Sequence, residues 1–172
     1  MLGKACGRVR KFFRGERGFT LVELLVVVAI IAILAATLMP RLLGYTNQAR
    51  VSRAMGDIAS MRSIVEAYAA NEGQGYYPKA DNSAADGVAQ VLQARGIKWT
   101  GGADGVKDPW GTGYRYGTAD VDGVSEQAYL IQSAGPDRTF DTDDDVWASS
   151  SSAPVQSGSP DVTPTSTVSS TG

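Results

Sequence analysis

The chain has 172 residues, 20% of them charged and 43% hydrophobic, with one cysteine, no histidine and a formal net charge of −2. Without histidine there is no histidine-dependent triad, histidine general base or histidine metal site. The single thiol, Cys6, excludes an intrachain disulfide and a zinc–thiolate centre, so any metal chemistry falls to carboxylates and carbonyls, which suit hard cations.

The charge is unevenly laid out. Residues 1–18 carry six basic side chains against Glu16, a balance of +5, while residues 19–172 hold ten basic and 17 acidic residues, a balance of −7. A basic head, an apolar run and an acidic body follow one another in the order expected of a membrane-inserted protein with its head on the cytoplasmic side. Nucleic-acid binding by the head would need more than clustered charge, and none is expected.

Residues 24–39 read LLVVVAIIAILAATLM, sixteen residues without a charge. At 1.5 Å per residue they reach about 24 Å, short of the ~30 Å hydrocarbon core. A full span takes in residues 19–22, and with them Glu23. A carboxylate within a membrane helix costs on the order of 2.5–3.5 kcal/mol at the centre and less near an end. A secretory signal peptide would carry a small-residue cleavage site after the run, but the run ends in ATLMPRLLG. A lipoprotein would place its cysteine after the run, and Cys6 precedes it. A plain anchor leaves Glu23 to snorkel toward the headgroups.

The words around that acid carry a fourth reading. Glu16-Arg17-Gly18-Phe19-Thr20-Leu21-Val22-Glu23 resembles the processing site of type IV pilins and of the pseudopilins of type II secretion systems. The resemblance implies cleavage between Gly18 and Phe19 by a prepilin peptidase, and N-methylation of the new Phe19 amine. It also implies assembly of mature subunits through their N-terminal helices. In such a homopolymer the Glu23 carboxylate can pair with a neighbour's Phe19 ammonium, and because an unpartnered buried charge is strongly disfavoured the pair would specify axial register.

Pro40 is expected to kink or break the helix. Beyond it Val51, Met55, Ile58, Met61, Val65 and Tyr68 recur at helical spacing, an amphipathic stripe that packs against a head domain. Gly73 is the expected C-terminal cap. A short helix over residues 86–95, a turn at Asp108-Pro109-Trp110-Gly111 and strands near residues 114–116, 128–132 and 146–147 complete the head.

Tyr77-Pro78, the Asp-Pro-Trp-Gly turn and Tyr114-Arg115-Tyr116 are similar to the marks of the major pseudopilin branch. The expected architecture is α+β: a long hydrophobic, then amphipathic N-terminal helix carrying a small antiparallel sheet, the lollipop of the pilins. The expected organisation is a cleaved leader (1–18), a membrane and filament-core helix (19–40), its amphipathic continuation (41–73), a head (74–147) and a tail (148–172). Thirteen of the 25 tail residues are Ser or Thr and three are Pro, so the tail is expected to be disordered and open to glycosylation.

Asp137, Asp141, Asp143, Asp144 and Asp145 fall within nine residues. An EF-hand would want Gly where Val146 stands and a bidentate Glu where Ser152 stands, so this loop is not one. The resemblance implies instead a Ca²⁺ site at Asp137, Asp144 and Asp145, with backbone carbonyls of Ala134, Pro136 and Thr139 as further ligands.

The expected function is that of a non-enzymatic filament subunit, a major pseudopilin of a type II secretion system. Minor pseudopilins and an inner-membrane assembly platform are the partners this implies, with the head outside the cytoplasm. A subunit of a surface type IV pilus is the alternative. A membrane-anchored, Ca²⁺-dependent enzyme is a third reading, disfavoured because no residue pair sets a nucleophile beside a base.

Overall fold

The computed structural model describes residues 18–156 and 158–172, with backbone alone at 40–43. The expected leader (1–18), apart from Gly18, lies outside the described residues. The chain divides into two compact units, Met1–Leu42 and Leu43–Gly172, and one helix, α1 (Leu21–Asn71), contributes to both.

In the first unit every large apolar side chain of residues 21–39 stands exposed. Among the described residues α1 is the one helix long and apolar enough to cross a membrane. Of the kink or break expected at Pro40, a break does not occur: α1 runs on through it. A helical proline forfeits one hydrogen bond and crowds the carbonyl four residues before it. Helices in an apolar setting tolerate this, because the loss is local and the turns on either side keep their own bonds.

In the second unit α1 buries Val51, Ala54, Ile58, Met61, Val65 and Ala69. The stripe keeps the expected direction with two exchanges: Ala54 and Ala69 are buried, while Met55 and Tyr68 flank it half-buried. The helix ends at Asn71, and the left-handed reversal that closes it falls just after Gly73 rather than on it. Gln74 and Gly75 are the left-handed residues, and Gly75 N–H reaches back to the Ala69 carbonyl at 2.9 Å. Gly73 is required for another reason, since a Cβ there would meet the Tyr76 carbonyl.

The short helix α2 (Val88–Ala94) buries Val88, Val91 and Leu92 as expected. The sheet is antiparallel and has five strands: β1 (Arg115–Val121), β2 (Val124–Ser133), β3 (Val146–Ser149), β4 (Val155–Gln156) and β5 (Ser166–Ser169), in the order β4-β3-β2-β1-β5. Asp122 and Gly123, both at positive φ, make the β1–β2 hairpin turn, the Asp-Gly signal of a tight hairpin. Trp99, Tyr114, Tyr116, Tyr129 and Ile131 fill the core between the sheet and α1. Two of the tyrosines reach α1: Tyr114 donates to Asp57 at 2.9 Å and Tyr129 to Glu66 at 2.7 Å. Burial pushes both phenols up, so they remain protonated donors.

The tail is the main correction. Residues 148–172 are not the expected disordered segment: they finish β3 and provide β4 and β5 at the two edges of the sheet. Apolar area alone does not order such a stretch. Backbone pairing to an open strand edge does, because each bond satisfies a polar group on both partners.

Candidate functional site

Two places carry the expected functional residues, one in each unit. In the first unit Thr20 opens α1. Its side-chain oxygen accepts from the Glu23 N–H at 3.2 Å, and its carbonyl accepts from Leu24 N–H at 3.2 Å. Thr-x-x-Glu before an apolar run is the pattern of a capping box, in which the hydroxyl satisfies an orphan N–H of the first turn. Glu23 also places its charge where the helix dipole favours an anion. The signal for this local role is the Thr-x-x-Glu spacing itself, which is separate from the cost of an acid in a membrane. Phe19 is 77% exposed, and a Cβ on Gly18 would meet nothing within 4 Å. Among the described residues nothing crowds the Gly18–Phe19 junction.

In the second unit the end of β2 organises two loops. Asp108 is buried and shapes the Asp-Pro-Trp-Gly turn: its Oδ1 accepts from the N–H groups of Trp110 (3.1 Å) and Thr112 (2.8 Å). Its Oδ2 accepts from the Ser133 hydroxyl at 2.7 Å. Ser133 is the last residue of β2, so the turn is tied to the start of the acidic loop. Next to it, Gln132 is fully buried. Its Oε1 accepts from Arg115 Nε at 3.2 Å, while its amide nitrogen donates to Asp145 Oδ2. Arg115 also pairs with Asp141 and lies over the Phe140 ring at 4.4 Å. A continuous relay of donors and acceptors, Asp141–Arg115–Gln132–Asp145, thus closes the loop onto β1 and β2.

The expected Ca²⁺ ligands separate within this arrangement. Asp145 is buried, and its Oδ2 also accepts from the N–H groups of Asp141 (2.7 Å) and Thr142 (3.3 Å). Asp144 is half-buried. One of its carboxylate oxygens accepts from the Thr142 hydroxyl at 2.7 Å and the other from Asp137 N–H at 3.1 Å. Asp137 is exposed and turns Oδ1 to the Thr139 N–H at 2.7 Å. The Thr139 carbonyl, 3.1 Å from the same Thr142 hydroxyl, is its alternative acceptor, and Ala134 is buried at the loop entrance. Among the described residues no three acidic, histidine or cysteine side chains stand together as a metal-holding group. The three side chains thus do not stand together as a ready-made site, and each accepts at least one hydrogen bond from the loop's own N–H or O–H groups. Desolvation raises the Asp145 carboxyl above its usual range, whereas the hydrogen bond from Arg115 holds Asp141 below it. Arg115 and Gln132 have no signal for this role in the sequence because an isolated polar residue in a strand carries no periodicity, and Thr142 is a single hydroxyl in a loop.

Comparison with known proteins follows the same division. Residues 13–39 match the prokaryotic N-terminal methylation motif, and residues 41–148 match the family described as Type II secretion system, protein G. The type II secretion system core protein G of Pseudomonas aeruginosa is 32% identical over 145 residues, covering 77% of this chain and 94% of that protein. Its counterpart in Pectobacterium carotovorum is 33% identical over 143 residues, 76% and 83% of the two chains. The type IV major pilin protein of Neisseria gonorrhoeae is 42% identical over 81 residues, but these cover only 47% of this chain and 46% of the pilin. No solved structure matches the chain.

Proposed function

The chain belongs to the type II secretion system protein G family, and we propose that it is the major pseudopilin of such a system, a subunit that polymerises in the cell envelope to drive protein export. The single observation that carries this reading is the match to protein G over residues 41–148, joined directly to the methylation motif over residues 13–39. The likeness to type IV pilins is shorter, and it supports a surface pilus less well. In this reading a prepilin peptidase cuts between Gly18 and Phe19 and the new Phe19 amine is methylated. The basic residues before the cut keep the leader in the cytoplasm, the apolar part of α1 spans the inner membrane, and the head lies outside the cytoplasm. Minor pseudopilins and an inner-membrane platform are the assembly partners. The role assigned is structural, on the strength of the match to the protein G family.

Deletion of the gene in its host should abolish export of folded extracellular proteins and leave surface pili in place. Mass spectrometry of the membrane-extracted chain should find a mature form beginning at N-methylated Phe19. Normal export with loss of surface pili would move the assignment to a type IV pilin, and an intact leader in a strain carrying the peptidase would overturn both.

A further inference from the structure

Residues 149–172 lie beyond the stretch that matches the protein G family, yet part of them forms a strand of the head's own sheet. β5 pairs antiparallel with β1 in the register Arg115↔Ser169, Tyr116↔Val168, Gly117↔Thr167 and Thr118↔Ser166. Its flanks are bonded as well: Thr165 N–H to the Thr118 carbonyl at 2.8 Å, and Ser170 N–H to the Tyr114 carbonyl at 2.8 Å. The Ser170 carbonyl accepts from Gly101 N–H at 3.1 Å, and its hydroxyl donates to the Val106 carbonyl at 2.6 Å. Asn82 links the strand to the core, donating to the Ser169 carbonyl at 3.0 Å while its own carbonyl accepts from buried Trp99 at 2.8 Å.

The ground beneath this strand is cut for it. A Cβ on Gly105 would fall on the Ser170 carbonyl oxygen, one on Gly117 on the Pro164 ring and the Ser166 carbonyl, and one on Gly113 on the hydroxyls of Ser169, Ser170 and Thr171. None of the three needs glycine for its own φ. Their lack of side chains serves the approach of the tail. Ser170 is fully buried and Val168 packs against the core cluster. Main-chain bonds would supply affinity and these two positions selectivity, the division of labour in strand addition to a sheet edge.

We propose that the outer edge of β1 is a strand-binding site whose occupant is the chain's own segment 163–172, held in cis as a complementing strand and able to bind the same site in trans. The segment covers an edge that a polymerising subunit would otherwise expose to neighbouring copies. The site lies wholly within the head and does not depend on which filament the subunit enters.

The test uses the full-length chain in detergent beside a variant that stops after Val162. Hydrogen–deuterium exchange should show loss of protection at Gly101 and over residues 115–118 in the shortened chain, with β2–β3 unchanged. A synthetic peptide of residues 163–172 should restore that protection saturably, and the same peptide with Val168→Asp should not. Retained protection after truncation, or no response to the peptide, would overturn the proposal. Should the shortened chain fail to fold, Gly105→Ala in the full chain gives the answer. The tail should then exchange fast and be cut by protease while β2–β3 stays protected, and a tail as protected as in the parent would sink the idea.

Discussion

Asp145 sits at the centre of the acidic loop and receives one side-chain and two backbone donors on a single oxygen. Asp145→Ala would strip the acceptor from all three, and the buried Gln132 amide has no water to turn to. Leaving buried donors unsatisfied should lower the stability of the full-length chain by about 2–4 kcal/mol. Asp145→Asn keeps an acceptor oxygen and presents its amide to the Thr142 hydroxyl, so its loss should be smaller. The comparison also depends on pH. Burial raises the folded carboxyl of Asp145, so between the unfolded and folded pKa values the native state holds more protons, and this group's contribution falls as pH rises through that window. Asp141 acts in the opposite sense: Arg115 depresses its folded pKa, and its contribution is lost as pH falls through that lowered value. Asp145→Asn should therefore gain on the parent as pH is raised above about 4. Chemical denaturation at several pH values measures this, and a constant difference between the two chains would show that the Asp145 charge is not disfavoured in the fold.

At the scale of elements, the acidic loop shows how far the sequence could be read and where it stopped. Five aspartates within nine residues were visible at once, and their mutual repulsion was a sound reason to look for a counter-charge. One counter-charge comes from the protein, Arg115, which lies 26 residues from the Asp141 it pairs with, and a neutral donor comes from Gln132, 13 residues from Asp145. Pairing across a sheet sets those contacts, and strand register cannot be derived from spacing within the loop. With the loop so furnished, melting of the full-length chain should be the same in Ca²⁺, Mg²⁺ or chelator. A rise specific to Ca²⁺ would show that the loop re-forms around the ion. The helices were legible for the converse reason. Ile58, Met61 and Val65 on α1, and Val88, Val91 and Leu92 on α2, follow a 3.6-residue period that records burial locally. The Asp122-Gly123 turn left an equally local signal that went unread. The tail left none, because Ser and Thr order there only by meeting the free edge of β1 and the bare glycines at 105, 113 and 117.

For the whole molecule, the question is what Glu23 contributes once subunits assemble. Two explanations now coexist on one side chain. As an anion it can pair with the Phe19 ammonium of a neighbouring copy and fix axial register. As the fourth residue of Thr-x-x-Glu it sits in the first turn capped by Thr20, where Glu and Gln are both suited to complete the cap. Two substitutions separate these roles. Glu23→Leu removes charge and capping capacity together. Glu23→Gln removes the charge and keeps an amide able to reach the backbone at the helix start. If charge sets register, both variants should be processed and inserted normally, yet each should form markedly fewer filaments, measured by cross-linking and by sedimentation of sheared envelope material. A compensating test follows from the same pairing: mixing either variant with parent subunits should poison assembly, because each variant leaves a neighbour's ammonium without a partner in an apolar surround. Filaments of normal yield from Glu23→Gln, alongside failure of Glu23→Leu, would assign the residue to starting its own helix and leave register to the packing of apolar faces.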